Sequence, residues 1–463
     1  MEVNMLNIPL IDLAKFLGVR YQGEANVVPQ GVAIDSRKVQ PGDLFFALPG
    51  EKVDGHDFVE MAFEKGAVGA VISELSNLKN LRHENLLICK DTLDTLQKLA
   101  KLIRENCNIP VIAITGSTGK TTTKDLIASI LEQKFKIIKT EGNYNNELGL
   151  PLTLCGLDKS HEALVLEMGM RGLGQIDFLC KLAQPNYGVI TNIGFTHAEI
   201  LGSQEKIAEA KAELLKNLPA QGLAILNYHD RELLEPFLDN CQGEIFWFGT
   251  EKQADFRIKE IVELTESKTV FILAFQDEEH LVELNIPGEH NIYNAVAAIA
   301  IALNLGMEWS LIKKGLANAE LTKMRLEIQS NRDGVKVIND TYNANPQSME
   351  AALRVLKKVK GHRKIAVLGD MYELGIYEEE GHKKIGTIAH DLDVDLLIAV
   401  GKLGQLIGLG ALEAGLEKSR VLIVETNALA IKALQNIIAK DDVVLVKGSR
   451  GMKMEEIVQE LMG

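Results

Sequence analysis

The chain has 463 residues, 46% of them hydrophobic, and its 50 Lys plus Arg against 64 Asp plus Glu give a formal net charge of -14. This excludes intrinsic disorder and a general affinity for nucleic acid, and a length prior of roughly 150 residues per domain suggests about three domains. An anionic ligand must therefore be held by local basic groups, not by the field of the whole molecule.

The opening MEVNMLNIPLIDLAKFLG has no cationic n-region and no long apolar core, so no secretory leader is expected. Residues 1–108 mix short strands (VAIDSR, DLFFAL, GAVISE) with helical stretches and turn glycines, and form the first expected domain. A second, 109–322, alternates strand and helix. VIAIT leads into a helix from Lys120, ALVLEM to a helix near Ile176, and YGVITNI to a helix over SQEKIAEAKAELL, with GLAILN after it. Short apolar strands between helices of 10 to 15 residues mark a parallel sheet covered on both faces. Residues 255–286 read as a β-rich insertion. AVAAIAIAL at 295–303 is too short to span a bilayer and reads as a buried helix, so no membrane insertion is expected. A third domain, 323–463, repeats strand and helix through VKVIND, KIAVLG, DLLIAV, RVLIVE and DVVLVK. That is a doubly wound fold of the dinucleotide-binding type, but without GxGxxG after its first strand, so no nicotinamide cofactor is implied. The five cysteines (Cys89, Cys107, Cys155, Cys180, Cys241) are scattered without metal or redox spacing, as in a reduced cytoplasmic protein.

The strongest local signal follows VIAIT: Thr115-Gly116-Ser117-Thr118-Gly119-Lys120-Thr121-Thr122, a glycine loop opening a helix. Glycines let backbone N–H groups close round phosphate oxygens, and the helix N-terminus adds its positive end. Lys120 suits the β- and γ-phosphates and the Thr121 hydroxyl suits Mg²⁺. Ile114 stands where the strict P-loop pattern has its first glycine. A P-loop alone fits a nucleotide switch, a motor, a kinase or a ligase. Glu167 ends the strand ALVLEM and His197 follows YGVITNI, both at strand ends that face a shared crevice in such sheets. Taken singly, Glu167 reads equally well as a solvated strand end and His197 as a loop histidine or helix cap, and the plain reading of Lys211 is a lysine on a wet helix face.

Several segments in order resemble the Mur ligases: residues 116–122, GNYNNELGLPL from Gly142, EMGMR from Glu167, TNIG from Thr191 with His197, AKAE around Lys211, HNIYN from His290, and Arg325. The resemblance spans nearly the whole chain. It implies an N-terminal UDP-sugar domain, a central ATPase domain and a C-terminal Rossmann-like domain for the incoming amine. It implies that ATP binds at Gly116, Ser117, Thr118, Gly119, Lys120, Thr121 and Thr122. Thr121 and Glu167 would hold one Mg²⁺, and His197 with a carbamylated Lys211 would serve a second. Asn291 and Asn294 would line the adenine pocket, and Arg325 and Asp340 would reach γ-phosphate and ribose.

Within the family, DSRK at 35–38 resembles the N-terminal domain shared by the third- and fourth-step ligases, while DTYNANP at 340–346, LGDMYELG at 368–375 and KGSRGMKME at 447–455 look like the member that adds a dipeptide. That implies UDP-N-acetylmuramoyl-tripeptide and D-alanyl-D-alanine as substrates. Their contacts on this reading are Ser36, Arg37, Phe46, Asn143, Asn145, Asn146, Arg171, Asn343, Asn345, Ser348 and Tyr372. The Asp-Asn-Pro-Arg motif of the diaminopimelate-adding ligase is absent. A carboxylate would be activated as an acyl phosphate and attacked by the amine, with Lys120, His197, Lys211 and Arg325 at the chemistry. A monomer is expected. The alternatives are another Mur-type amino-acid ligase acting at the third step, and a nucleotide-dependent binding protein. The bland reading also stands for single motifs: Ser36 and Arg37 as a turn with a surface ion pair, and Asn343 and Asn345 before Pro346 as a helix start.

Overall fold

The computed structural model describes residues 6, 8–50, 52–74 and 85–463. Residues 1–5, at the head of the segment read for leader character, lie outside the described residues. Two compact units emerge. One comprises the chain up to Ala113 with Phe135–Gly169 and Gln175–Asn186, and the other comprises Ile114–Lys134, Met170–Gly174 and Tyr187–Gly463.

The first unit holds a five-stranded sheet of β1 (Arg20–Gln22), β2 (Gly31–Ala33), β3 (Asp43–Phe46), β4 (Gly69–Ser73) and β5 (Leu86–Cys89). Its order is β1-β5-β4-β3-β2, with only the β1–β5 pair antiparallel. The helix Thr92–Glu105 begins where the Asp91 carboxylate accepts from the Asp94 N–H, which satisfies an otherwise unpaired donor of the first turn. It buries Leu96, Leu99, Ala100 and Ile103, the i, i+3, i+4, i+7 stripe of an amphipathic helix. Two further strands follow β6 (Val111–Thr115): β7 (Ile137–Lys139) and β8 (Ala163–Glu167), in the order β6-β8-β7. All five residues of β6 and of β8 are buried, which explains their unbroken apolar sequences.

In the second unit, β9 (Tyr187–Ile190), β10 (Leu223–Asn227), β11 (Glu244–Gly249) and β12 (Phe256–Leu264) pair in parallel succession. From β12 the chain doubles back through β13 (Thr269–Phe275) and β14 (Glu278–Leu284) as antiparallel hairpins, the β-rich insertion expected at 255–286. The helix His290–Asn304 that follows is buried along most of its length, as the AVAAIAIAL run requires.

The C-terminal sheet contains β15 (Glu327–Ser330), β16 (Lys336–Asn339), β17 (Lys364–Leu368), β18 (Leu396–Val400), β19 (Val421–Val424) and β20 (Val443–Lys447), in the order β15-β16-β20-β17-β18-β19. Adjacent residues alternate between two cores. Ile338, Ala366, Leu368, Leu397 and Leu445 face one, and Val337, Ile365, Val367, Ile398, Val444 and Val446 face the other. Both faces are thus covered, as a parallel sheet needs. The antiparallel edge strand β15 was not read from the sequence: EIQS has no apolar run and is only partly buried.

Candidate active site

Strand β6 ends at Thr115, and the loop behind it is built round two glycines. Gly116 has φ +148°, and a Cβ there would come within 1.9 Å of Thr191 Oγ1. Gly119 has φ +79°, and its Cβ would lie 2.4 Å from Asn294 Oδ1. The helix Lys120–Leu131 starts immediately after, so its first N–H groups open into the loop. Lys120 Nζ folds back to donate to Gly116 O at 2.7 Å.

A second segment laces this loop into shape. Asn192 O accepts from Ser117 N at 3.0 Å, and its Oδ1 accepts from Thr118 N at 2.9 Å. Asn192 Nδ2 donates to Thr118 Oγ1 at 2.7 Å. Gly194 N donates to Ser117 Oγ at 2.8 Å. Asn192 was quoted in the family motif but not among the expected site residues. Its place after β9, the next parallel strand in the chain, was the available signal.

Three expected groups converge here. Burial pushes the His197 imidazole down, the Glu373 carboxylate opposes that, and Lys211 and Lys120 lower it further. Lys211 is 1% exposed, so the reading of a lysine on a wet helix face is overturned. Burial holds its ammonium well below the usual lysine range, with Lys120 reinforcing and Asp230 opposing. The buried Asp230 was missed altogether. Its Oδ2 accepts from Ile193 N at 2.9 Å, and burial raises its carboxyl to about 6. His197 stands at the N-terminus of the helix Ala198–Leu201 with φ +70°, but its side chain does not cap that helix. Its Nδ1 lies 2.6 Å from Glu373 Oε2.

Arg325 reaches the first turn of the helix Lys120–Leu131, behind the glycine loop. Its Nη2 donates to Thr121 Oγ1 at 3.0 Å, its guanidinium carbon lies 4.1 Å from the Tyr342 ring centroid, and its buried Nε has no hydrogen-bond partner. Thr122, next along the helix, is half-buried. Asn291 and Asn294 are buried and joined, Asn294 Nδ2 donating to Asn291 Oδ1 at 3.0 Å, while Thr123 Oγ1 donates to Asn294 Oδ1 at 3.2 Å. Asp340 is engaged by Lys447, whose Nζ lies 2.6 Å from Asp340 Oδ2 and donates to Asn343 O at 2.9 Å. Nearby, burial pushes the His290 imidazole down to about 4.

Several expected substrate contacts have other work in this structure. Asn345 caps the helix Pro346–Lys358 in a capping box with Ser348, and its Nδ2 donates to Thr196 Oγ1 at 2.8 Å. The helix-start reading of this segment therefore holds, and the Asn345 amide is used on both sides. Asn343 is exposed, Tyr372 is 40% exposed with its N–H donated to Ser449 Oγ, and the exposed Arg171 contributes to lowering the Glu373 carboxyl.

In the first unit, Glu167 is 3% exposed, which overturns the solvated-strand-end reading. Its Oε1 accepts from Asn145 Nδ2 at 2.7 Å, and its N–H donates to Thr140 Oγ1 at 3.0 Å. Asn146 Oδ1 accepts from Gly149 N, and Asn143 O accepts from Asn145 N, so the asparagines build the turn they also punctuate. Arg37 pairs with Asp35, whose carboxyl that contact lowers to about 2, while Ser36 is buried with Oγ 3.4 Å from Met61 Sδ. Phe46 is fully buried, so its ring offers no surface to a ligand.

Comparison with known proteins agrees with this geometry. Three family models match in succession: "Mur ligase family, catalytic domain" over residues 29–108, "Mur ligase middle domain" over 114–302, and "Mur ligase, glutamate ligase domain" over 324–450. The UDP-N-acetylmuramoyl-tripeptide--D-alanyl-D-alanine ligase of Bacillus subtilis is 41% identical over 445 residues, covering 95% of this chain and 94% of that protein. The Escherichia coli enzyme of the same name is 34% identical, covering 99% of each chain. MurF from Acinetobacter baumannii superposes with a TM-score of 0.85 at 33% identity, over 99% of this chain and 100% of that one. MurF from Thermotoga maritima in complex with ADP gives 0.80 at 28% identity, over 94% and 97% of the two chains. A glycine loop held by Asn192, a buried lysine beside it and three successive family domains lead to one conclusion: the chain belongs to the Mur ligase family.

Proposed function

We propose that the chain joins D-alanyl-D-alanine to UDP-N-acetylmuramoyl-tripeptide at the expense of ATP, through an acyl phosphate. The observation that carries this is the grouping of Lys120, His197 and Lys211 behind the glycine loop. Relatives named for that reaction match over essentially the full chain, which supports the choice of substrate. The expected division of labour is retained: 1–108 for the UDP-sugar, 109–322 for ATP, 323–463 for the dipeptide.

The residues suit the phosphates of ATP. A Cβ at either loop glycine would clash, Lys120 is near, and the unpartnered Arg325 Nε is a buried donor in need of an acceptor. Phosphoryl transfer needs positioning and charge neutralisation more than covalent catalysis, and these groups supply both. Among the described residues no three His, Cys, Asp or Glu side chains cluster as a metal cage. Mg²⁺ is commonly held by one or two protein oxygens plus substrate phosphates, and Thr121 Oγ1 is an oxygen of that kind. When bound, Mg²⁺ would offset phosphate charge. The depressed Lys211 pKa favours its neutral amine, the form that adds CO₂ to give a carbamate, and this supports the carbamylated lysine.

Among the described residues no helix is long and apolar enough to cross a membrane. A reaction consuming ATP and a UDP-linked substrate belongs in the cytoplasm, and we take the working form to be a monomer. The test is phosphate release with ATP, D-alanyl-D-alanine and UDP-muramoyl-tripeptides carrying lysine or diaminopimelate. Release should require both the tripeptide and the dipeptide. Comparable rates with free lysine or diaminopimelate on a UDP-muramoyl-dipeptide would move the chain to the preceding step.

A further inference from the structure

The segment after β17 makes a docking contact that the reaction as described above does not use. Glu373 has φ +65° and His197 has φ +70°, both in the left-handed region, at about 1–2 kcal/mol each for a residue other than glycine. Such strain persists only where the surroundings over-determine it, and it gathers at functional sites. Two contacts hold the loops together: Glu199 N donates to Glu373 O at 3.3 Å, and the Phe195 and Tyr377 ring centroids lie 4.7 Å apart. Asn345, at the start of the helix Pro346–Lys358, also fixes the His197 loop through Thr196. Gly375 has φ +55°, and a Cβ there would stand 2.5 Å from Glu199 Cα, so only glycine permits the approach. At the centre, Glu373 Oε2 lies 2.6 Å from His197 Nδ1.

We propose that Glu373 is a positioning residue for the ligation: the C-terminal domain brings its carboxylate to His197 Nδ1 and thereby sets the imidazole, leaving Nε2 free for the reaction site. A histidine ring oriented through one nitrogen presents the other in a defined direction, and losing such a partner typically costs 10- to 100-fold in function. The arrangement makes the histidine ready only when residues 372–377 are docked on the His197 loop. His197 keeps 18% of its side chain exposed, so the ring is reachable, while its buried Nδ1 faces Glu373 Oε2 as a close ion-pair contact rather than an aligned hydrogen bond. The proposal rests on the reading that His197 belongs to the active site.

The test is a double-mutant cycle in the phosphate-release assay. Glu373→Ala should lower kcat by about 10- to 100-fold while KM for ATP stays within about twofold. Glu373→Gln, which keeps an oxygen at the same place, should lose less. In a His197→Ala background, Glu373→Ala should cause no further loss, because the group it positions is gone. A role confined to packing would give the same fold-loss in both backgrounds, and that additivity would overturn the proposal. So would an unchanged kcat in Glu373→Ala. If the alanine variant fails to fold by circular dichroism, the cycle is run with Glu373→Gln and the same criteria. Full turnover in His197→Ala would sink the site reading itself and this inference with it; a reduced but measurable rate in His197→Ala, followed through single-turnover phosphate release, with an additive cycle would sink the inference alone.

Discussion

Replacing Asp230 by Asn should stabilise the protein, increasingly so as pH rises. Asp230 is 4% exposed, and burial lifts its carboxyl from 3.8 to about 6. An acid whose folded pKa is raised gives stability that is fully present below its unfolded pKa and lost as pH rises through its folded pKa. At about 1.4 kcal/mol per pKa unit, the ionised form weakens the fold by about 3 kcal/mol at pH 8, and by about half of that at pH 5. Asn keeps an oxygen for Ile193 N and carries no charge to bury. The variant's advantage over wild type should therefore grow by roughly 1–2 kcal/mol between pH 5 and pH 8. Urea unfolding followed by tryptophan fluorescence measures it, since Trp247 lies 5.7 Å from Tyr228, close in sequence to Asp230. An advantage that is flat with pH, or a variant less stable than wild type at pH 8, would refute the reasoning. A fall in activity alongside the gain in stability would show what the buried carboxylate is kept for.

Lys120→Ala should cut ligation on the order of 10³-fold through loss of the fixed charge at the phosphates; near-normal turnover would remove the glycine loop from the mechanism. Gly119→Ala should abolish ATP binding, measured by calorimetry, because its Cβ would sit 2.4 Å from Asn294 Oδ1 in a left-handed conformation. Lys211→Ala should be nearly inactive and partly rescued by short carboxylic acids, whereas a bare, neutral amine by mass spectrometry and ¹³C NMR in bicarbonate would count against the carbamate. Lys447→Met strands the buried Asp340 carboxylate and should destabilise by about 3–5 kcal/mol in chemical denaturation, with Asp340→Asn in the same chain recovering most of it.

The sequence by itself determined what local pattern can encode. Unbroken apolar strands such as VIAIT and ALVLE announced a parallel sheet because both faces are buried. Gly116 and Gly119 marked the loop because only glycine accepts those backbone angles beside Thr191 and Asn294. Asn345 before Pro346 carried its helix start in four residues. Tertiary structure alone decided the rest, because burial and long-range partners leave no local trace. Lys211 on AEAKAE has the composition of a wet helix face, and only packing removes it from water and depresses its pKa. The Asp340–Lys447 pair spans 107 residues of sequence and the His197–Glu373 contact joins two loops in left-handed backbone, so neither could be read from spacing. Asp230 follows an ordinary strand end, and only the folded chain shows that its carboxylate is buried against Ile193 N.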